Sequence, residues 1–109
     1  MPTKRRSVGM AGEAVAARFL QRRGATILDR NVRVGRDEID LIAHIADVHV
    51  AVEVKTGLGS RTRPWENFDD AKEARIRRAA HALGIHRVDV VAVELTVNGV
   101  IVRWLPGDG

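Results

Sequence analysis

The chain has 109 residues, of which 45% are apolar and 29% charged, with 18 Lys and Arg set against 14 Asp and Glu. That length suits one globular domain burying about 65% of its unfolded surface, and is short for two. With no cysteine, disulfides and thiolate metal sites are excluded, and the net charge of +4 favours a polyanionic partner over a basic one.

Lys4, Arg5 and Arg6 are followed by no apolar run, and Glu13 and Arg18 interrupt what comes next. Neither a signal peptide nor a membrane span is expected, which points to the cytoplasm. A single domain over residues 1–109 is expected, with frayed ends near 1–8 and 106–109. Val15, Ala16, Phe19 and Leu20 recur at helical spacing, so a helix is predicted over 10–23, with Gly24 as its stop. Strands are predicted over 26–32, 38–44 and 48–55. In the last of these, Val48, Val50, Val52 and Val54 alternate with His49, Ala51, Glu53 and Lys55. Only Ile45, Ala46 and Asp47 separate the second and third strands, which predicts an antiparallel hairpin.

Residues 56–64 hold two glycines, a proline and two arginines and read as a loop. A second helix is predicted over 67–83. Ile76, Ala79, Ala80 and Leu83 form its apolar stripe, Glu66, Asp69 and Asp70 suit its start, and Gly84 suits its stop. A β-prone run over 88–95 and an Asn98-Gly99 turn then lead into a strand over 100–105. The order is α-β-β-β-α-β-β, a mixed five-stranded sheet flanked by helices.

The polar positions of the second and third strands carry the chemistry. Paired in register, Asp40 and Glu53 share one face of the sheet, and Lys55 points the same way as Glu53. Two carboxylates buried together raise each other's pKa unless a cation joins them. Mg2+ or Mn2+ suits such a pair, since it needs few protein ligands and keeps its waters. Lys55 is expected to position water or to offset charge on a phosphate. A role as base requires a depressed pKa, and the nearby carboxylates act against that. Glu13 either supplies a further ligand, directly or through water, or is a surface helix residue. Glu38 either supports the site or is an ordinary edge charge.

Basic residues gather in Lys4-Arg5-Arg6, Arg22-Arg23, Arg61 and Arg63, and Lys72-Arg75-Arg77-Arg78. Any one cluster reads as a solvated surface; several beside a carboxylate pair point to nucleic acid, with Arg61, Arg63, Lys72 and Arg75 the expected contacts. Lys72 either reaches the cleft or extends to solvent past Ile76. Trp65 either stacks on a base or packs over the second helix, while Trp104 and Phe19 read as core. Asp89 is expected to pair locally with Arg87. The four histidines show no zinc-site spacing.

Gly12-Glu13, Glu38-Ile39-Asp40-Leu41-Ile42-Ala43, Val52-Glu53-Val54-Lys55-Thr56, Lys72 with Ala79-Ala80, and Arg87-Val88-Asp89-Val90-Val91 occur in that order. This set resembles the YraN-like family of small bacterial proteins, which is similar to archaeal Holliday-junction resolvases within the PD-(D/E)xK nucleases. The resemblance runs from about Gly12 to Val93. It implies a restriction-endonuclease-like fold and metal-dependent hydrolysis of DNA phosphodiesters, with branched or structured DNA as a candidate substrate. It gives Asp40 and Glu53 the metal-ligand role, Lys55 the catalytic lysine role and Glu13 a supporting acidic role. It also implies a homodimer, since the resolvases work in pairs; pairing along the strand near Val100 to Trp104 is one way to form it. Ile39 replaces the proline of the superfamily name, Asp37 a usual glycine and Gly57 a frequent arginine. The first of the last two adds negative charge near the site, and the second is expected to remove a phosphate contact. A nuclease-fold module that binds nucleic acid without cutting it is the alternative.

Overall fold

The computed structural model describes residues 4–58 and 70–107, with side chains from residue 7 onward. Helix α1 spans Lys4–Arg22 and is followed by β1 (Thr26–Val34), β2 (Asp37–Ile45) and β3 (Val48–Leu58). Helix α2 (Asp70–Ala82) leads into β4 (Arg87–Thr96) and β5 (Gly99–Leu105). The strands form one sheet in the order β1-β2-β3-β4-β5. The pairings β1–β2, β2–β3 and β4–β5 are antiparallel, whereas β3–β4 is parallel. Helix α2 lies in the connection that a parallel pair requires. This is the mixed five-stranded sheet in the α-β-β-β-α-β-β order that the sequence predicts.

Both helices stop by the same device. Gly24 and Gly84 take left-handed conformations, at φ 93° and 76°. The following amides reach back: Ala25 N–H donates to Leu20 O at 3.0 Å, and Ile85 N–H to Ala80 O at 2.9 Å. These bonds satisfy carbonyls that the helix end would otherwise leave open.

The core has two parts. One packs Ala16, Ala17 and Leu20 of α1 on Leu41, Val52 and Val91 of the sheet. The other packs Ile76, Ala79 and Ala80 of α2 with Ile39, Ala51 and Val88. Alternation along β3 sends Val50 and Val52 to the α1 side and Ala51 to the α2 side. Glu53 and Lys55 share the parity of Ala51.

Three boundaries differ from expectation in ways that matter to the packing. Helix α1 begins at Lys4, so residues 4–8, expected to fray, are its opening turns. No proline or glycine separates Lys4 from the periodic stretch until Gly9, and one glycine does not stop a helix. Strand β3 runs through Thr56, Gly57 and Leu58, which read as loop. Here they pair with Val93, Glu94 and Leu95 of β4, a distant partner that local composition does not reveal. At the other end, Gly107, expected to fray, donates its N–H to Asp89 Oδ1 at 2.8 Å. The expected start of the second helix at 67–69, the loop at 59–64 and residues 108–109 lie outside the described residues. Among the described residues, no helix is long and apolar enough to cross a membrane.

Candidate active site

The β2–β3 hairpin sets the site. Its turn is Ala46-Asp47, both at positive φ (49° and 66°), and Ile45 pairs with Val48 across it. Two left-handed turn residues fit the twist of a tight hairpin. The pairing then runs to Leu41 opposite Val52, where the ladder ends. One step further the register places Asp40 opposite Glu53. There Asp40 replaces the backbone: its Oδ2 accepts the Val54 N–H at 2.8 Å. The two strands thus part where their acids meet, and a cleft of about 1020 Å³ opens between them, α1 and α2. Glu13, Asp40, Glu53, Lys55, Lys72 and Arg75 all line it.

Helix α1 brings Glu13 in by close approach. A side-chain carbon on Gly12 would overlap the hydroxyl of Thr56, the residue after Lys55. Glycine at this position lets α1 lie directly on the end of β3. Helix α2 brings Lys72 in from the other side. Its Nζ lies 3.6 Å from Glu53 Oε1, and Lys55 Nζ lies 3.4 Å from the same oxygen. Lys72 therefore reaches the cleft, although its side chain remains 48% exposed.

The charges are strongly perturbed. Burial, then the neighbouring Glu53, pushes Asp40 up to about 7; the Val54 N–H opposes this, while Glu13 and Glu38 add to it. Burial also raises Glu53, against the pull of Lys55 and Lys72. Lys55 is lowered, first by burial and then by its hydrogen bond with Lys72, and this outweighs Glu53. The expectation that the carboxylates hold Lys55 up is therefore corrected, because a second ammonium sits beside it. Lys72 is raised by that same contact with Lys55, then by Glu53 and Asp40.

Among the described residues, no three His, Asp or Glu side chains are grouped tightly enough to hold a cation unaided. Asp40 and Glu53 are a two-carboxylate set, and Mg2+ is commonly held by one or two carboxylates plus waters and substrate phosphates. Asp40 fits such an ion, since burial and the acids beside it leave its charge uncompensated, whereas Glu53 is already met by Lys55 and Lys72.

Arg61, Arg63 and Trp65 lie outside the described residues. Arg36, not singled out in the sequence, lines the same cleft as Arg75. Asp37, the added acid, is met by Arg78 at 3.8 Å. His44 faces His49 across the hairpin with ring centres 5.5 Å apart, and His81 faces His86 at 4.8 Å. Asn31 is the residue that sequence reasoning missed. It donates to both Glu13 and Glu38. An asparagine inside a β-prone run is the signal that marks it, since strands are depleted in asparagine.

The fold is thus a small α/β domain, a mixed five-stranded sheet flanked by helices, with acids and lysines gathered where two strands part. The chain belongs to the uncharacterised protein family UPF0102, whose profile matches residues 12–93. A UPF0102 protein of Symbiobacterium thermophilum is 47% identical over 103 residues, covering 86% of this chain and 87% of that protein. One from Syntrophotalea carbinolica is 37% identical, covering 98% of this chain and 94% of that protein. Among solved structures, Pyrococcus furiosus SfsA in complex with Ca2+ is similar at a TM-score of 0.42 and 18% identity. That match covers 94% of this chain, which spans 64% of the SfsA chain.

Proposed function

We propose that this domain is a Mg2+- or Mn2+-dependent endonuclease that hydrolyses DNA phosphodiester bonds, with branched or otherwise structured DNA as the favoured substrate. The observation that carries the reading is the parting of β2 and β3 at Asp40 and Glu53, with two lysines on the same cleft.

Asp40 and Glu53 would hold the ion. When bound, such an ion supplies Lewis-acid polarisation of a phosphoryl oxygen. The Val54 N–H fixes one oxygen of Asp40, so this carboxylate is oriented before anything binds. Lys55, only 12% exposed, presents its ammonium beside Glu53 and offsets negative charge as it builds on the phosphate. Lys72 keeps the cleft from becoming too acidic for a polyanion. Arg36 and Arg75, which line the same cleft, would meet neighbouring phosphates. A non-cutting binding module draws its support from Asp37 and Gly57, yet Arg78 already faces Asp37. A second copy of the chain, paired along the edge strand β5, would supply a second cleft for the opposite strand of a symmetric branch.

The test is an assay of purified protein with Mg2+ or Mn2+ on linear, flapped and four-way DNA. The expected result is metal-dependent cleavage, reduced by at least about a hundredfold in Glu53→Ala and in Asp40→Asn. Cleavage that is equal in wild type and Glu53→Ala overturns the proposal. Salt-sensitive DNA binding without turnover would favour the binding module instead.

A further inference from the structure

Asn31 holds an unusual place in the sheet. Arg30 pairs with Leu41 and Val32 with Ile39, so the register sets Asn31 opposite Asp40. Asn31, Asp40 and Glu53 therefore form one row across β1, β2 and β3. Within that row Asn31 has left-handed backbone, at φ 51°. Residues with a Cβ seldom adopt that region, and strands do not use it. Such a conformation persists only where surrounding contacts hold it, and it is often found at functional sites.

The contacts that hold it are two carboxylates. Asn31 Nδ2 donates to Glu13 Oε1 at 2.5 Å and to Glu38 Oε1 at 2.9 Å. Only the NH2 end of an amide can serve two carboxylates, so chemistry fixes its orientation. The amide spends both hydrogens drawing an acid from α1 and an acid from β2 together. Like charge would otherwise drive these two apart. Each acid keeps a second oxygen, and both acids line the cleft of Asp40.

We infer that Asn31 is a positioning residue: its amide holds Glu13 on the cleft of the Asp40–Glu53 pair, so that Glu13 serves the cation through its bound waters and not as a third direct ligand. The inference rests on the nuclease reading. It assigns the strained backbone of β1 to that clamp, rather than to the path of the strand.

Two substitutions separate amide from backbone. Asn31→Gly accepts positive φ freely but removes the donor, whereas Asn31→Asp keeps the shape and turns the donor into a third acid. Manganese binding is measured by calorimetry on wild type, both variants, Glu13→Gln and the double variant Glu13→Gln/Asn31→Gly. Thermal midpoints are recorded alongside. Asn31→Gly is expected to melt no lower than wild type yet bind Mn2+ about tenfold more weakly, the size usual for a group that orients a ligand. Asn31→Asp is expected to bind as weakly or more so. In the Glu13→Gln background, Asn31→Gly should change affinity by less than about twofold, because the two groups act as one. Wild-type Mn2+ affinity in Asn31→Gly overturns the inference and leaves the nuclease reading standing, as does a loss that simply adds to that of Glu13→Gln. Wild type that neither binds Mn2+ nor cuts DNA removes both.

Discussion

Two acids of the sheet, Asp89 on β4 and the half-buried Asp40 on β2, sit in opposite surroundings. Asp89 on β4 is fully buried, and every donor it needs is at hand. Arg87 grips it with Nε at 2.9 Å and a terminal nitrogen at 3.0 Å. Trp104 Nε1 donates to it at 2.9 Å and Gly107 N–H at 2.8 Å. Asp40 on β2 has one backbone donor and acids for neighbours. Asp89 thus joins β4, β5 and the tail into one piece, while Asp40 is left short of positive charge. A buried acid with all its donors ties the fold together; one without them carries charge that the fold does not offset.

Substitution should expose the contrast most sharply. Asp89→Ala leaves the Arg87 guanidinium without its carboxylate and the Trp104 N–H without an acceptor. It is expected to destabilise the fold by about 3–5 kcal/mol, the usual cost of removing half of a buried ion pair. Asp40→Asn removes an uncompensated charge and is expected to leave metal-free stability at neutral pH unchanged or higher. Urea unfolding at pH 7 measures both. A fall of equal size in the two variants would erase the distinction.

The next effect is steric. Gly12→Ala forces α1 away from Thr56, and relief of such overpacking typically costs about 1–3 kcal/mol. Glu13 moves with the helix, so DNA cleavage should fall further than stability does. A variant that melts lower but cuts normally would show that the α1 contact serves the fold alone.

The smallest effect is one of pH. The folded pKa of Asp40, about 7, lies above its ordinary 3.8, so the folded state keeps a proton that the unfolded state gives up. Stability of the metal-free protein should therefore fall as pH rises from about 4 to about 7, then level off. Water at the open cleft screens the charge, so a loss on the order of 1–2 kcal/mol is expected rather than the full value of the shift. The raised Glu53 acts with the same sign. Asp40→Asn should flatten this slope, as should saturating Mn2+, which competes with the proton. Denaturant midpoints across pH, with and without metal, are the measurement. A wild-type profile that rises over this window would overturn the assignment of Asp40 as an uncompensated acid.

Much of this was legible in the chain, for a physical reason. Strand alternation has a period of two, so a short hairpin between two valine-rich runs leaves few registers that bury the valines, and one of them sets Asp40 opposite Glu53. The capped helices were legible because glycine at the stop is a local signal. What escaped depends on distant partners. The extension of β3 to Leu58 needs β4, and the lowered Lys55 needs Lys72 on another element. Trp104 read as plain core, but its indole also serves Asp89, fifteen residues away. Asn31 escaped because its role lies in a backbone angle and in two acids from separate elements.

The bond from Val54 to Asp40 has one more consequence. Where neighbouring strands usually trade backbone for backbone, here a single amide hydrogen rests on an ionisable oxygen. Whatever protonates that oxygen, or draws it towards a cation, is felt at once in the main chain of the middle strand. The nuclear resonance of this one amide is therefore a gauge of the cleft that the protein carries within itself.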